Sequence, residues 1–199
     1  MFSALKWAAL LGTVVGAASC GDATSPPPIE RPASDLRFLR LSASAPPLAS
    51  TVVSFYAKKG EDREVRVHFV NGEDFLRFRV FANSLLRRPD GSAFATGDSV
   101  LITITITDPT KADADFQPAG LKFSPQDPAR LQFEFGECDQ DLNGDGIVNA
   151  ADTALVPTIS TWRQETPNAV WFKVASTVEV DLSEVQSDIF GFTGYALAF

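Results

Sequence analysis

Histidine is nearly missing from this chain: His68 is the single one in 199 residues, and only two cysteines, Cys20 and Cys138, occur. So thin a supply excludes a zinc site built on paired Cys and His, and no zinc spacing is found. No Gly-x-Ser-x-Gly elbow and no Gly-rich phosphate loop occurs either, which removes the common signatures of an α/β-hydrolase and of a nucleotide-binding enzyme. His68 stands among Arg66, Arg77 and Arg79 with no catalytic partner near it in sequence, so it reads as part of a polar sheet face rather than as a general base. Positive charge is also scarce, with 17 Lys and Arg against 25 Asp and Glu and a formal charge of −8. That balance disfavours nucleic acid and anionic lipid as partners. Arg37, Arg40, Arg66, Arg77, Arg79, Arg87 and Arg88 nevertheless make the first half locally basic. Cross-strand pairing is the plain account of them and an anionic glycan contact the sharper one.

Long apolar runs are lacking too. The one near the start, Trp7–Val15, is too short for a comfortable membrane span, and with Lys6 before it and small residues after it residues 1–19 read as an export signal. The stretch Ala17-Ala18-Ser19-Cys20 resembles the processing box of bacterial lipoproteins, in which the cysteine becomes the lipidated first residue. Ala17 stands where that family more often has leucine, and an ordinary signal peptidase could use the same small residues. The resemblance implies a protein exported and lipid-anchored through Cys20 in the cell envelope. With Gly21 next, and no aspartate there to signal inner-membrane retention, it implies the outer membrane. Removal of residues 1–19, whose one charge is Lys6, would take the formal charge from −8 to −9. Residues 20–34, rich in Pro and Ser, read as a semi-extended tether. With Cys20 lipidated, Cys138 has no disulfide partner and reads as a small buried packing residue, the alternative being a reactive thiol.

What the chain has in plenty is alternation. Sixteen phenylalanines and many Val and Ile recur at period two in short runs bounded by Gly, Pro, Asn and Asp, so residues 35–199 are expected to form one all-β domain with a single core. Strands are expected at 37–41, 51–57, 64–70, 75–81, 99–107, 120–124, 130–136, 157–163, 169–174, 177–180 and 194–199. The 64–70 and 75–81 pair should form a hairpin through Asn71-Gly72. Residues 108–115 read as a loop and 182–189 as a short turn of helix. About ten strands fit a two-sheet antiparallel β-sandwich of immunoglobulin-like type.

The sharpest motif is Asp141–Asp152, DLNGDGIVNAAD, a twelve-residue loop of the EF-hand kind inserted in that sandwich. Calcium is a hard cation that takes six to eight oxygens, so a short segment must turn its oxygens inward. Asp141, Asn143, Asp145, Asn149 and Asp152 would supply side-chain oxygens and Ile147 its carbonyl. Gly146 permits the reversal, and Ile147 and Val148 would tie the loop to an apolar core. An Asp/Asn/Gly-rich surface turn is the plainer reading of the same residues. The loop resembles the calcium repeat of dockerins in its Asp141, Asn143, Asp145-Gly146, Val148-Asn149 and Asp152. Dockerins pair two such repeats, each followed by a helix, to bind cohesins; here one repeat is found and Pro157 stands where that helix would run.

A second resemblance covers more chain. Phe116–Ser124, Leu131–Phe135, the hairpin from Trp162 to Trp171 and Gly191–Leu197 look like the second half of the ZU-five-type sandwich known from ankyrins, netrin receptors and zonula occludens proteins. Some members of that family cleave themselves at a His-Phe-Ser triplet. The matching residues here are Gly191-Phe192-Thr193, which keep a hydroxyl at Thr193 and lack the histidine that would activate it. The expectation is a non-enzymatic, calcium-stabilised envelope lipoprotein that binds a protein or glycan partner or serves as a structural module. A self-processing or hydrolytic sandwich using Thr193 is the rival. Trp162 and Trp171, either side of the hairpin tip 164–168, are core candidates that could instead stack on sugars.

Overall fold

The computed structural model describes residues 27–199; the expected signal, Cys20 and residues 21–26 of the tether lie outside them. Among the described residues no helix is long and apolar enough to cross a membrane. Fourteen strands form two large antiparallel sheets and one small one. In chain order the strands are β1 (Glu30–Arg31), β2 (Val52–Lys58), β3 (Arg63–His68), β4 (Asp74–Val80), β5 (Leu85–Arg87), β6 (Ser99–Thr105) and β7 (Asp113–Gln117). They continue with β8 (Lys122–Phe123), β9 (Ala129–Glu134), β10 (Ser160–Gln164), β11 (Trp171–Lys173), β12 (Ser176–Glu179), β13 (Glu184–Ile189) and β14 (Gly194–Ala198). The seven-stranded sheet runs β1-β11-β10-β14-β7-β6-β2 and the five-stranded sheet β12-β13-β9-β4-β3, while β5 and β8 pair by themselves. This is the all-β sandwich that the alternating pattern predicts.

Period-two patterning decides which side chains meet between the sheets. In β6, Ile102 and Ile104 are buried while Leu101 is exposed, and in β9 Ala129, Leu131 and Phe133 are buried. Phe78 of β4 sits at the centre of the core. Its ring lies 5.1 to 6.4 Å from those of Phe55, Phe116, Phe123 and Phe192, so one side chain of the five-stranded sheet touches rings carried by β2 and β7 of the other. Tilted rings at such spacings add to the burial of their area. At the β12 end the sheets meet through hydroxyls instead: Ser187 of β13 donates to Thr161 of β10 (2.7 Å) and to Ser176 (3.1 Å), and Ser176 also accepts from the Thr161 amide. Thr161 is wholly buried, so this mutual pairing is what makes its burial tolerable.

The expected hairpin is present, with β3 and β4 in register from Arg63↔Val80 to His68↔Asp74 and Gly72 at φ 90° in its turn. Four stretches differ from the expectation. Residues 182–189 are not a helical turn: β13 alternates buried Val185, Ser187 and Ile189 and pairs with both β9 and β12, and only Val180–Leu182 forms a short 3-10 turn. The loop expected at 108–115 gives way to β7, because Ala114 and Phe116 face the core while Asp113, Asp115 and Gln117 face out. Residues 37–41 form single bridges rather than a ladder strand, with Phe38 on Ala198, Arg40 on Lys111 and Leu41 on Cys138. The last part of the expected tether is in the sandwich, where β1 pairs with β11 and the Lys173 amide donates to Ile29 O.

Because Phe78 fills space between both sheets, its truncation leaves a cavity that neither can close alone. Phe78→Ala is expected to lower unfolding free energy by about 3–5 kcal/mol, read from denaturant melts; a loss under about 1 kcal/mol would mean that the sheets do not depend on this contact.

Candidate functional site

The loop Asp141–Asp152 lies between β9 and β10 and is held by its own carboxylates. Asp141 accepts from the amides of Gly144 (2.8 Å), Asp145 (3.1 Å) and Gly146 (2.7 Å), and Asp145 from that of Ile147 (2.8 Å). Gly144 and Gly146, at φ 77° and 84°, supply the reversals that this wrapping needs. Asn149 caps the single helical turn α1 (Ala150–Thr153), accepting from the Ala151 amide at 2.7 Å, and Asp152 reaches back to the Asn149 amide at 2.9 Å as a reciprocal capping box. The other oxygen of Asp152 accepts from the Asn143 amide at 3.0 Å, so this residue, 2% exposed, ties both ends of the loop together. These amide donors hold its carboxyl below the usual aspartate range.

Counting acceptor sites tests whether the loop suits a hard cation. An ionised carboxylate oxygen or an amide oxygen has two lone pairs. Asp141 Oδ2, both oxygens of Asp145, both of Asp152, Asn143 Oδ1, Asn149 Oδ1 and Ile147 O each accept one hydrogen bond, leaving a lone pair apiece. All the donors are oxygen, as calcium prefers. Among the described residues, however, no group of three or more His, Cys, Asp or Glu side chains comes together as a metal centre. Asp141, Asp145 and Asp152 thus share the loop without forming such a cluster, and any ion here depends equally on the asparagines and the Ile147 carbonyl.

The loop's attachment differs from the expectation. Ile147 and Val148 are each 65% exposed and tie nothing to the core; Leu142 and Val156 pack against it instead. Arg37 adds a clamp, donating through Nη1 to Asn143 O at 2.9 Å. That contact spans 106 positions, beyond the reach of any local sequence pattern.

Six of the seven arginines noted in the first half make side-chain contacts within the domain. Arg66 pairs with Glu64 and Asp74, Arg79 with Asp62 and Arg88 with Asp98, and Arg87 donates to Gly91 O. His68 Nδ1 lies 2.8 Å from Asp74 Oδ1. Arg77 is the centre of a group that the sequence did not reveal: its Nη2 contacts Glu134 of β9 at 3.0 Å and Glu184 of β13, and Gln132 also donates to Glu184. Glu134 and Glu184 stand directly opposite each other across β9 and β13. Partial burial, and then the charge of Glu184, push the Glu134 carboxyl up to about 7. Reading 182–189 as helix hid this pair; the alternation Val185, Ser187, Ile189 was the signal that could have exposed it.

The remaining candidates have plain settings. Thr193 is nearly buried, its hydroxyl donating to Gly194 O at 3.4 Å and lying beside that of Tyr195, while Phe192 is within the aromatic core. Cys138 is buried, and that burial, aided by Asp139 and Glu137, pushes its thiol up to about 12, as suits a packing residue. Trp162 is 4% exposed with its Nε1 donating to Ala198 O at 3.1 Å, whereas Trp171 is partly exposed beside Phe38.

Fold and site together define a two-sheet antiparallel sandwich carrying an oxygen-lined acidic loop between two of its strands. No family model, curated protein or solved structure matches the chain.

The Glu134 carboxyl yields a pH prediction. Its folded value, about 7, lies above the ordinary 4.5, so the native state binds an extra proton between those values. The contribution is fully present below about pH 4.5 and is lost as pH rises through about 7, on the order of 1–3 kcal/mol in all. Glu134→Gln, which mimics the protonated form, is expected to gain on the wild type in thermal stability between pH 5 and pH 8. Parallel pH profiles for the two proteins would rule out a proton held at this pair.

Proposed function

We propose that this chain is a non-enzymatic, calcium-stabilised lipoprotein of the bacterial cell envelope, anchored through Cys20 in the outer membrane, whose ZU-five-like sandwich serves as a binding or structural module for a protein or glycan. The observation that carries the reading is the 141–152 loop: every oxygen at positions 1, 3, 5, 7, 9 and 12 belongs to a network that leaves lone pairs for a hard cation. Asp141, Asn143, Asp145, Ile147, Asn149 and Asp152 would hold the ion. Bound calcium would supply positive charge among three carboxylates and fix the connection between β9 and β10.

The reading is non-enzymatic because the groups capable of chemistry are already committed. Arg77 spans Glu134 and Glu184, Glu184 is 5% exposed, and no base hydrogen-bonds the Thr193 hydroxyl among the described residues. A general acid or nucleophile must instead reach a substrate.

Extracellular calcium loops bind at roughly 10⁻⁴–10⁻³ M, so calcium at ten times the dissociation constant should add about 1.4 kcal/mol, or about 3–6 °C in melting temperature. Asp145→Ala should abolish that gain while melting like the wild type in chelator. A wild-type melt indifferent to calcium would sink the ion.

The anchor is checked separately. Cys20→Ala is expected to remove fatty-acid labelling and move the protein to the aqueous phase of a detergent partition. Continued labelling of that variant would disprove lipidation at Cys20.

A further inference from the structure

The outer face of the seven-stranded sheet carries a trough that neither the calcium loop nor the core explains. Its floor is β14, whose outward positions are Gly194 and Ala196, flanked by β10 on one side and β7 on the other. The pairing registers line up one rung across the face: Trp171 opposite Gln164, Gln164 opposite Gly194, Gly194 opposite Asp115. Small residues in the middle and large ones at both sides make the hollow. Trp171 forms one wall, braced by the ring of Phe38 at 5.1 Å and 62°; Asp113, Asp115 and Gln117 form the other. Two adjoining hollows of about 390 and 600 Å³ share Asp113, Gln164 and Trp171, within the size range of ligand clefts.

The smaller hollow is also lined by Asn168 and by Lys111, whose ammonium is held by Asp108 at 2.7 Å, while the polar side chains along the central rung offer chiefly acceptors. Gln164 gives its Nε2 to Ala169 O at 2.7 Å and keeps its carbonyl oxygen; Asp115 takes Gln117 Nε2 on Oδ2 and keeps Oδ1. A ligand must therefore bring hydroxyl donors together with a flat apolar face for the indole. Sugar rings carry both, with C–H bonds on one face and hydroxyls around the edge, and their dispersion contact with an aromatic ring needs no charge. Glu165 is paired with Arg163 and Lys111 with Asp108, so Asp113 and Asp115 set the local sign and disfavour an anionic chain. A peptide adding as a strand needs an open sheet edge, whereas β14 is already paired on both sides.

We infer that this trough is a glycan-binding cleft for a neutral oligosaccharide chain, with Trp171 as the stacking platform and Gln164, Asp113 and Asp115 as hydroxyl acceptors. The inference deepens the binding-module reading and rests on it for the existence of a partner. The test is affinity electrophoresis of the purified protein through gels containing neutral polysaccharides (β-glucan, xylan, mannan, galactan) and, in parallel, anionic alginate, followed by titration of tryptophan fluorescence with fragments of any polymer that retards it. At least one neutral polymer should retard the protein. Trp171→Ala should weaken binding about tenfold or more, Trp171→Phe should retain most of it, and Asp115→Ala should weaken it with no change in melting temperature. Because the last change lies on the exposed face, it keeps the test decisive if the tryptophan variant folds poorly. No retardation by any neutral polymer, retardation by alginate alone, selection of peptides in place of glycans, or binding that survives both alanine variants would each overturn the cleft. A calcium-dependent melting shift in the same preparation would then show that the ion reading stands while the glycan reading has failed.

Discussion

The contact on which the rest of the molecule depends is that of Phe78 with the rings of Phe55, Phe116 and Phe192 across the gap between the sheets. Antiparallel ladders fix each sheet internally, but nothing in a ladder fixes one sheet on another; that is decided by which side chains interdigitate between them. Phe192 enters this cluster from the segment just before β14, so the path of the chain into its last strand is set by aromatic packing. The Gly191-Phe192-Thr193 triplet is thereby a structural corner, with Tyr195 donating its hydroxyl to Gly191 O.

Outside that core the two faces have opposite characters. On the five-stranded sheet, Arg66, Arg77, His68, Asp74, Glu134 and Glu184 form one connected group of opposite charges. On the seven-stranded sheet, aromatic and acidic side chains stand either side of a floor without side chains of any length. Charges paired across strands tie those strands together, while a concave face that keeps an indole and free acceptor oxygens can take a ligand.

The alternation of Val, Ile and Phe made the sandwich legible, and Asn71-Gly72 made its hairpin so, because period two and a turn needing positive φ are local properties. The acidic loop was equally legible, since its spacing lies within twelve consecutive residues. What escaped was non-local. Arg37 on Asn143 O, Glu134 opposite Glu184 and the rung from Trp171 to Asp115 depend on strand registers that no window of sequence contains. Two misreadings had local causes. Polar residues in Asp113-Ala114-Asp115 outweighed the alternation, and Ile147 and Val148 were assigned to a core because they are apolar, although the loop projects them into solvent.

The position of β14 has a consequence for the order in which the chain can assemble. Residues 194–198 occupy the centre of the seven-stranded sheet, with β10 on one side and β7 on the other, and residues 37–39 bond to their far end. Strands that appear some eighty residues apart in synthesis, β7 near 115 and β14 near 196, are direct neighbours. Until 194–198 arrive, β7 and β10 each present an unpaired margin, and the sheet exists only as separate pieces. The seven-stranded sheet can therefore close only when residues 194–198 are available, and pairings this distant in sequence carry the loop-closure cost that slows the folding of β-rich domains.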